Sequence, residues 1–274
     1  MLRLSLLTIG ITAALVSSLP AAAQPAGRTP QPEVDDVISV TGARRREEAV
    51  QEVPIPLSVV DGELITEAGA FNVNRIKELI PSVQLYSSNP RNTGVNIRGL
   101  GSPFGLTNDG IEPGLGYYLD GVLYARPAAT TLDFIDVERV EVLRGPQGTL
   151  FGKNTTAGAI LVTTRKPSFT PEYDFELGYG DDGFVQAKGS FSRPLGDKVA
   201  GRLSLTSTQR DGLLYNVATQ ERVNDLDNIG LRTQLLVTPN ERMDVTLVLD
   251  YTNQEPKGFA QVFDEGQYSL IPSP

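Results

Sequence analysis

Five strand-length segments follow one another in the second half of the chain: YDFELGYG, FVQAKGSFSRPL, VAGRLSLTSTQR, IGLRTQLLVTP and DVTLVLDYTNQ. Leu203 and Leu205 alternate with Ser204 and Thr206; Val245, Leu247, Leu249 and Tyr251 alternate less cleanly with Thr246, Val248, Asp250 and Thr252. A period of two sends successive side chains to opposite faces of a sheet, so such segments are apolar on one face and polar on the other. The connections alternate as well, RPLGDK and TPNER being tight while residues 211–228 are long. Membrane-spanning strands need about 9–11 residues with one lipid face and one lumen face, joined by short turns on one side and longer loops on the other. A soluble β-meander has the same period, and the pattern alone leaves both open.

The N-terminus bears on that choice. MLRLSLLTIGITAALVSSLPAAA carries Arg3, an apolar stretch from Leu4 to Val16, and small residues ending in Ala21, Ala22 and Ala23. This is the pattern of a secretory signal peptide over residues 1–23, its apolar run shorter than the ~20 residues of a membrane span. The Pro-rich QPAGRTPQPE that follows reads as an extended linker. In DDVISVTGARRREE, Val37, Ile38, Val40 and Thr41 form a short β-prone run with no adjacent strand partner in sequence. It could pair with another protein's sheet edge or be the first strand of the following domain.

Residues 50–167 read as a small α+β domain with large loops. A strand is expected around Leu57–Val60, then a helix capped by Asp61 and stopped by Gly69, then a second helix capped by Asn72 and ended by Pro81. In the second helix Val73, Ile76, Leu79 and Ile80 share one face. Further strands are expected at 95–98, 116–123, 137–143 and 159–164.

The glycine-rich LRGPQGTLFGKNTTAGAILVTTRKP invites a phosphate-loop reading, which the spacing rejects. Counting back from Gly152 and Lys153 puts Gln147 where the first glycine of the motif belongs, and Asn154 replaces the hydroxyl residue. In GLGSPFG, Phe104 occupies the third glycine position of a dinucleotide fingerprint. The glycines read better as turns and points of close backbone approach. The 274 residues include no Cys and no His, which removes thiolate and imidazole chemistry and almost all zinc, haem or iron–sulfur ligation. A net charge of −9 argues against a nucleic-acid partner. No cofactor is indicated, and nothing points to an enzyme.

The signal peptide, DVISVTG, VNIRGLG, GYYLDGVLYARP and VERVEVLRGPQGTLFGKNTTAGAILVTTRKP together resemble the N-terminal part of a TonB-dependent outer-membrane receptor. The resemblance is dense from Asp36 to Pro167. It implies an α+β plug domain (50–167), preceded by a linker holding the energy-coupling box (24–49) and followed by the first antiparallel strands of a transmembrane β-barrel (168–274). It implies that Asp36, Val37, Ile38, Ser39, Val40 and Thr41 are the TonB box, which would pair with TonB as an added strand. It implies that Arg98 and Arg144 pair with carboxylates on the inner barrel wall, partners that would lie beyond Pro274, and that the apical loops bind the solute, with Asn89, Arg91, Asn92, Phe104, Asn108 and Asp109 as contacts. The implied function is energy-coupled uptake of a scarce solute of siderophore, vitamin, haem or glycan type across the bacterial outer membrane, the alternative being a soluble periplasmic plug-like binding protein or a non-functional fragment. The implied partners are TonB with its energising proteins, outer-membrane lipid and that small solute. Plugged transporters of this kind have about 22 strands, so five strands lead us to expect the front part of a longer receptor, a reading to which the absence of a terminal aromatic residue in SLIPSP adds.

Overall fold

The structure is a computed structural model that describes residues 39–40, 48–49, 55–87, 92–101, 112–217 and 219–258. In chain order, β1 (Ser39–Val40) and β2 (Glu48–Ala49) form a two-residue ladder, and β3 (Leu57–Asp61) leads into α1 (Gly62–Glu67) and α2 (Val73–Leu79). β4 (Val83–Ser87), β5 (Thr93–Ile97) and β6 (Leu100–Gly101) make a small antiparallel sheet. β7 (Leu115–Leu119), β8 (Val122–Tyr124), β9 (Val137–Arg144), a single turn α3 (Gly148–Phe151) and β10 (Gly158–Thr164) follow, and with β3 they complete a five-stranded sheet in the order β3-β9-β10-β7-β8. Only the β10–β7 pair in that sheet is parallel.

Local chemistry sets both helices. Asp61 Oδ1 accepts from the Leu64 N–H at 2.7 Å and Asn72 Oδ1 from that of Arg75 at 3.3 Å, filling the orphan donors at each N-terminus. Gly69, at φ +61°, ends the first. Val73 and Ile76 are fully buried and Ile80 nearly so, packing with Val60, Val140, Val142, Ile160 and Val162 into one core. Every buried member of that core lies between Val60 and Val162.

The structure corrects two expectations. The run 116–123, read as one strand, is the hairpin β7–β8, turned at Asp120 (φ +49°) and Gly121 (φ +80°), because an Asp-Gly pair supplies the two left-handed residues of a type I′ turn. The β-prone run at 37–41, read as having no adjacent strand partner in sequence, contributes Ser39 and Val40 to a ladder with Ala49 and Glu48.

The five period-two segments form one antiparallel sheet, β11 (Glu172–Tyr179), β12 (Val185–Gly196), β13 (Val199–Arg210), β16 (Leu226–Asn240) and β17 (Met243–Gln254), in sequence order. The long connection carries its own small hairpin, β14 (Leu214–Asn216) with β15 (Glu221–Val223). Register puts Phe175, Gly189, Leu205, Leu231 and Tyr251 in one transverse row, and the next row is Glu176, Lys188, Thr206, Gly230 and Thr252. The apolar row faces away from the α+β half: Phe175 is 77% exposed, Leu205 50% and Tyr251 58%. The polar rows face that half, with Gln186, Ser192, Arg202, Ser204, Thr206, Thr208, Asn228, Arg232 and Gln234 all buried against it.

Candidate functional site

Three aspartates carry the α+β half onto the strand wall. Asp136 sits just before β9 in a left-handed conformation, φ +55°, a backbone state that Asp tolerates better than most residues. Its carboxylate accepts from Arg202 Nε and, at 2.9 Å, from Arg202 Nη2, and from the Ser204 hydroxyl at 2.6 Å. Arg202 also donates to Glu172 at 2.8 Å and to the Ser190 hydroxyl at 3.0 Å. Its side chain is 2% exposed, so a guanidinium that would be costly to bury alone is surrounded by acceptors.

Asp120, at the β7–β8 turn, works twice. Inside its own half it accepts from the backbone N–H and hydroxyl of Thr164, both at 2.8 Å, which ties the turn to the end of β10. Toward the wall it accepts from Arg232 Nη2, whose Nη1 donates to Asp250 at 2.7 Å. Both turn aspartates use the outward aim of a left-handed residue to reach an arginine on β13 or β16.

Asp133 is held differently. It is 7% exposed and accepts from Asn228 Nδ2 at 3.1 Å, while its Oδ2 has no hydrogen-bond partner among the described residues. Burial pushes its carboxyl up to about 6, against the lowering influence of Thr208 and Asn228. Burial likewise raises the phenols of Tyr117 and Tyr124, which stay protonated and neutral beside Arg232 and Asp120. Neutral bonds complete the seam: Gln234 to Thr164 Oγ1 (3.3 Å) and Arg165 O (3.1 Å), and Gln254 to Thr131 O (3.2 Å). At Gly230 the wall lets the α+β half approach closely, since a Cβ there would stand 2.6 Å from Ile135 Cδ1. Among the described residues no cluster of carboxylates is arranged to hold a metal ion.

Of the residues singled out in the sequence, Arg98 is exposed in the turn between β5 and β6 at φ +53°, and Arg144 donates through Nη2 to the Leu57 carbonyl at 3.0 Å. Neither meets a carboxylate among the described residues. The ion pairs found across the seam have the opposite arrangement, acids on the α+β half and arginines on the wall. Arg202, Ser204, Thr206 and Thr208 on the polar face of one period-two segment were the available signal for them. Asn92 begins the approach to β5, and Ser39 and Val40 lie in β1. Asp36, Val37, Ile38, Thr41, Asn89, Arg91, Phe104, Asn108 and Asp109 lie outside the described residues.

Comparison with known proteins agrees with this geometry. Residues 49–159 match the family model described as TonB-dependent Receptor Plug Domain. The chain is 28% identical over 188 residues to the pesticin receptor of Yersinia enterocolitica, covering 68% of this chain and 27% of the relative. It is 28% identical over 184 residues to the vitamin B12 transporter BtuB of Photobacterium profundum, covering 65% of this chain and 28% of the relative. The chain thus spans little more than a quarter of the length of these curated relatives. Among solved structures, the ferric yersiniabactin uptake receptor FyuA from Yersinia pestis superposes with a TM-score of 0.66 at 25% identity, over 72% of this chain and 31% of the other. The ferripyoverdine receptor of Pseudomonas aeruginosa gives 0.66 at 20% identity, over 80% of this chain and 28% of the other, a likeness of fold. These relatives are receptors and transporters, not enzymes. Residues 49–159 thus match a TonB-dependent receptor plug domain, here seated by its aspartates on the polar face of an antiparallel wall, and over the plug and the strands that follow it the chain is similar to receptors of that kind.

Proposed function

We propose that this chain is the plug-bearing part of a receptor that takes up a scarce solute across the bacterial outer membrane, with energy delivered through TonB. One observation carries the reading: a wall polar toward the plug and apolar on the other face. Row by row, Tyr173, Phe175 and Leu177 of β11 stand over 60% exposed on that outer face, and Leu205, Leu247, Leu249 and Tyr251 extend the surface across the sheet. A contiguous apolar face of this kind needs hydrocarbon or a partner. The cost of leaving that face in water speaks against a soluble plug-like binding protein.

In this reading residues 1–23 direct export, 24–49 hold the coupling segment, 50–167 are the plug and 168–274 begin the barrel. Tight turns at 196–199 and 240–243 face the periplasm, and the connection 211–225 faces the exterior. Residues 36–41 are handed to TonB as an added strand. Ser39 and Val40 are already paired with Ala49 and Glu48, so the hand-over exchanges a two-residue ladder for an intermolecular one. The relatives named for vitamin B12 and ferric yersiniabactin support a small scarce solute as cargo.

The test places cysteine at Val40 and at a surface control, Arg193, in cells producing the chain. Disulfide capture of a TonB cysteine variant by the former and not the latter, in outer-membrane fractions, is the expected outcome. Recovery of the chain only in the soluble periplasmic fraction sinks the proposal.

A further inference from the structure

Three aspartates reach from the plug to the wall, and one of them is satisfied differently from the other two. Asp120 and Asp136 each accept from an arginine and from further hydroxyl or backbone donors. No arginine meets Asp133 among the described residues: its Oδ1 accepts from the Asn228 amide at 3.1 Å, and its Oδ2, with under 1 Å² of accessible surface, has no hydrogen-bond partner among them. An ionised carboxylate offers acceptor sites on both oxygens, and holding one away from water with so few donors is costly. Protonation removes the charge and makes one oxygen a donor, so the neutral acid suits this setting better.

The charges around Asp133 are committed to other partners. Lys188 on β12, whose charge favours an ionised Asp133, is held by Glu176 of β11 at 3.2 Å. Arg232 on β16 is held by Asp120 and by Asp250 of β17, the latter at 2.7 Å. From β13 comes the neutral hydroxyl of Thr208, which already accepts from Gln186 at 2.9 Å. On its own segment Asp136 is taken by Arg202. The β7–β8 hairpin supplies the neutral phenols of Tyr117 and Tyr124, which line a cavity of about 50 Å³ together with Asp133, Arg232 and Asp250.

We propose that Asp133 is a proton-operated latch between plug and wall: taking up a proton in mildly acidic surroundings tightens the seat, and losing it at neutral pH loosens the seat, while Asp120 and Asp136 set its register. The seated carboxyl titrates near 6 and a hydrated one near 4, so between those limits the seated plug holds a proton that a displaced plug gives up. Acid therefore favours the seat, by about tenfold at pH 5 relative to pH 7.5. That the latch opposes a pull from TonB rests on the transport reading, whereas the titration does not.

The chain has no cysteine, so a single one reports on the seam. Thr206→Cys places it on the buried face of β13, where N-ethylmaleimide reaches it only when the plug leaves the wall, and Arg193→Cys on the exposed wall is the control. In the full chain purified in detergent, the ratio of the two labelling rates is expected to fall about tenfold from pH 7.5 to pH 5. Asp133→Asn in the same background, which also subtracts the thiol's own titration, is expected to flatten that fall. Lys188→Gln is expected to move the midpoint to higher pH, since it removes the charge that favours ionised Asp133. Near-ultraviolet circular dichroism of the tyrosines checks that each variant is folded, and the Lys188→Gln midpoint carries the test if Asp133→Asn is not. A labelling ratio indifferent to pH, an equal fall in Asp133→Asn, or an unmoved midpoint in Lys188→Gln overturns the proposal. A pH-dependent seat in a chain that TonB never contacts defeats the transport reading and leaves the latch standing; TonB contact with a pH-indifferent seat defeats only the latch.

Discussion

Asp136 and Arg202 are nearly inaccessible, with side chains 5% and 2% exposed, and they join the plug to the wall across 66 residues of sequence. Replacing Asp136 with Asn leaves Arg202 buried with Glu172, whose side chain is half exposed, and Ser190 as its remaining acceptors. Breaking one side of a buried pair costs about 3–5 kcal/mol, and the surviving Glu172 contact places this variant at the lower end, near 3 kcal/mol. Arg202→Met strands the Asp136 carboxylate with the Ser204 hydroxyl and with Arg165 at 4.0 Å, at a similar cost. The double variant strands neither charge, so its destabilisation should fall well short of the sum, giving a coupling of about 2–4 kcal/mol. Urea unfolding of the detergent-solubilised chain, followed by tyrosine circular dichroism with the slope held common, measures all four corners. The coupling should persist in about 1 M salt, because a buried pair is screened little. Single-variant costs that add within about 0.5 kcal/mol would show that the seam's charges act independently, and Asp136 and Arg202 would then not seat the plug as a pair.

Asp133 makes stability depend on acidity in the opposite sense to a salt-bridged carboxylate. Its folded value near 6 lies above the unfolded one near 4, so the folded state holds the extra proton between those limits; its destabilising contribution is fully present above pH 6 and relieved as pH falls toward 4, by about 3 kcal/mol at most. Asp133→Asn should flatten that part of the stability profile relative to the parent, and an unchanged difference between the two from pH 4 to 7 would refute it. Gly230→Val drives a side chain into Ile135 and Thr206, 2.6 and 2.8 Å from the new Cβ, and is expected to cost about 1–3 kcal/mol and to raise protease cleavage of the plug. Leu205→Arg places a charge in the middle of the outward apolar row, at an expected cost of about 2–4 kcal/mol for insertion, read as a lower yield in outer-membrane fractions; an unchanged yield would deny that this face meets lipid.

How much of the fold and of the seam is legible in the sequence follows from how local each signal is. Asp61, Asn72 and Gly69 act on backbone groups within a few residues, and each helix begins or ends where they stand. The five wall segments are legible because a half-exposed sheet writes its period into the chain. Asp120 and Gly121 read as part of a strand because the β-prone residues on either side outweigh two turn formers unless the pair is recognised as a type I′ signal. The seam is beyond local reading. Asp120, Asp133 and Asp136 are joined to Arg232, Asn228 and Arg202 over separations of 66 to 112 residues, and no short-range pattern distinguishes them from surface charges. The family resemblance draws attention to Arg98 and Arg144, which take no part in this seam among the described residues.

The division of apolar burial between the halves has a mechanical consequence. The buried members of the principal plug core all lie between Val60 and Val162, so its contacts with itself are made within the plug. The wall has no comparable core: among its described residues Ala200 and Val223 are the buried apolar side chains. Its strands hold their shape through backbone ladders and, on one face, the plug's polar contacts. Separating the two strands charges, chiefly Arg202 and Arg232. Such an interface resists displacement steeply over the first few ångströms, because hydrogen bonds to charge are short-ranged and directional. A pull at the N-terminal segment would thus meet a threshold at the aspartates, where those bonds must break before the plug can move.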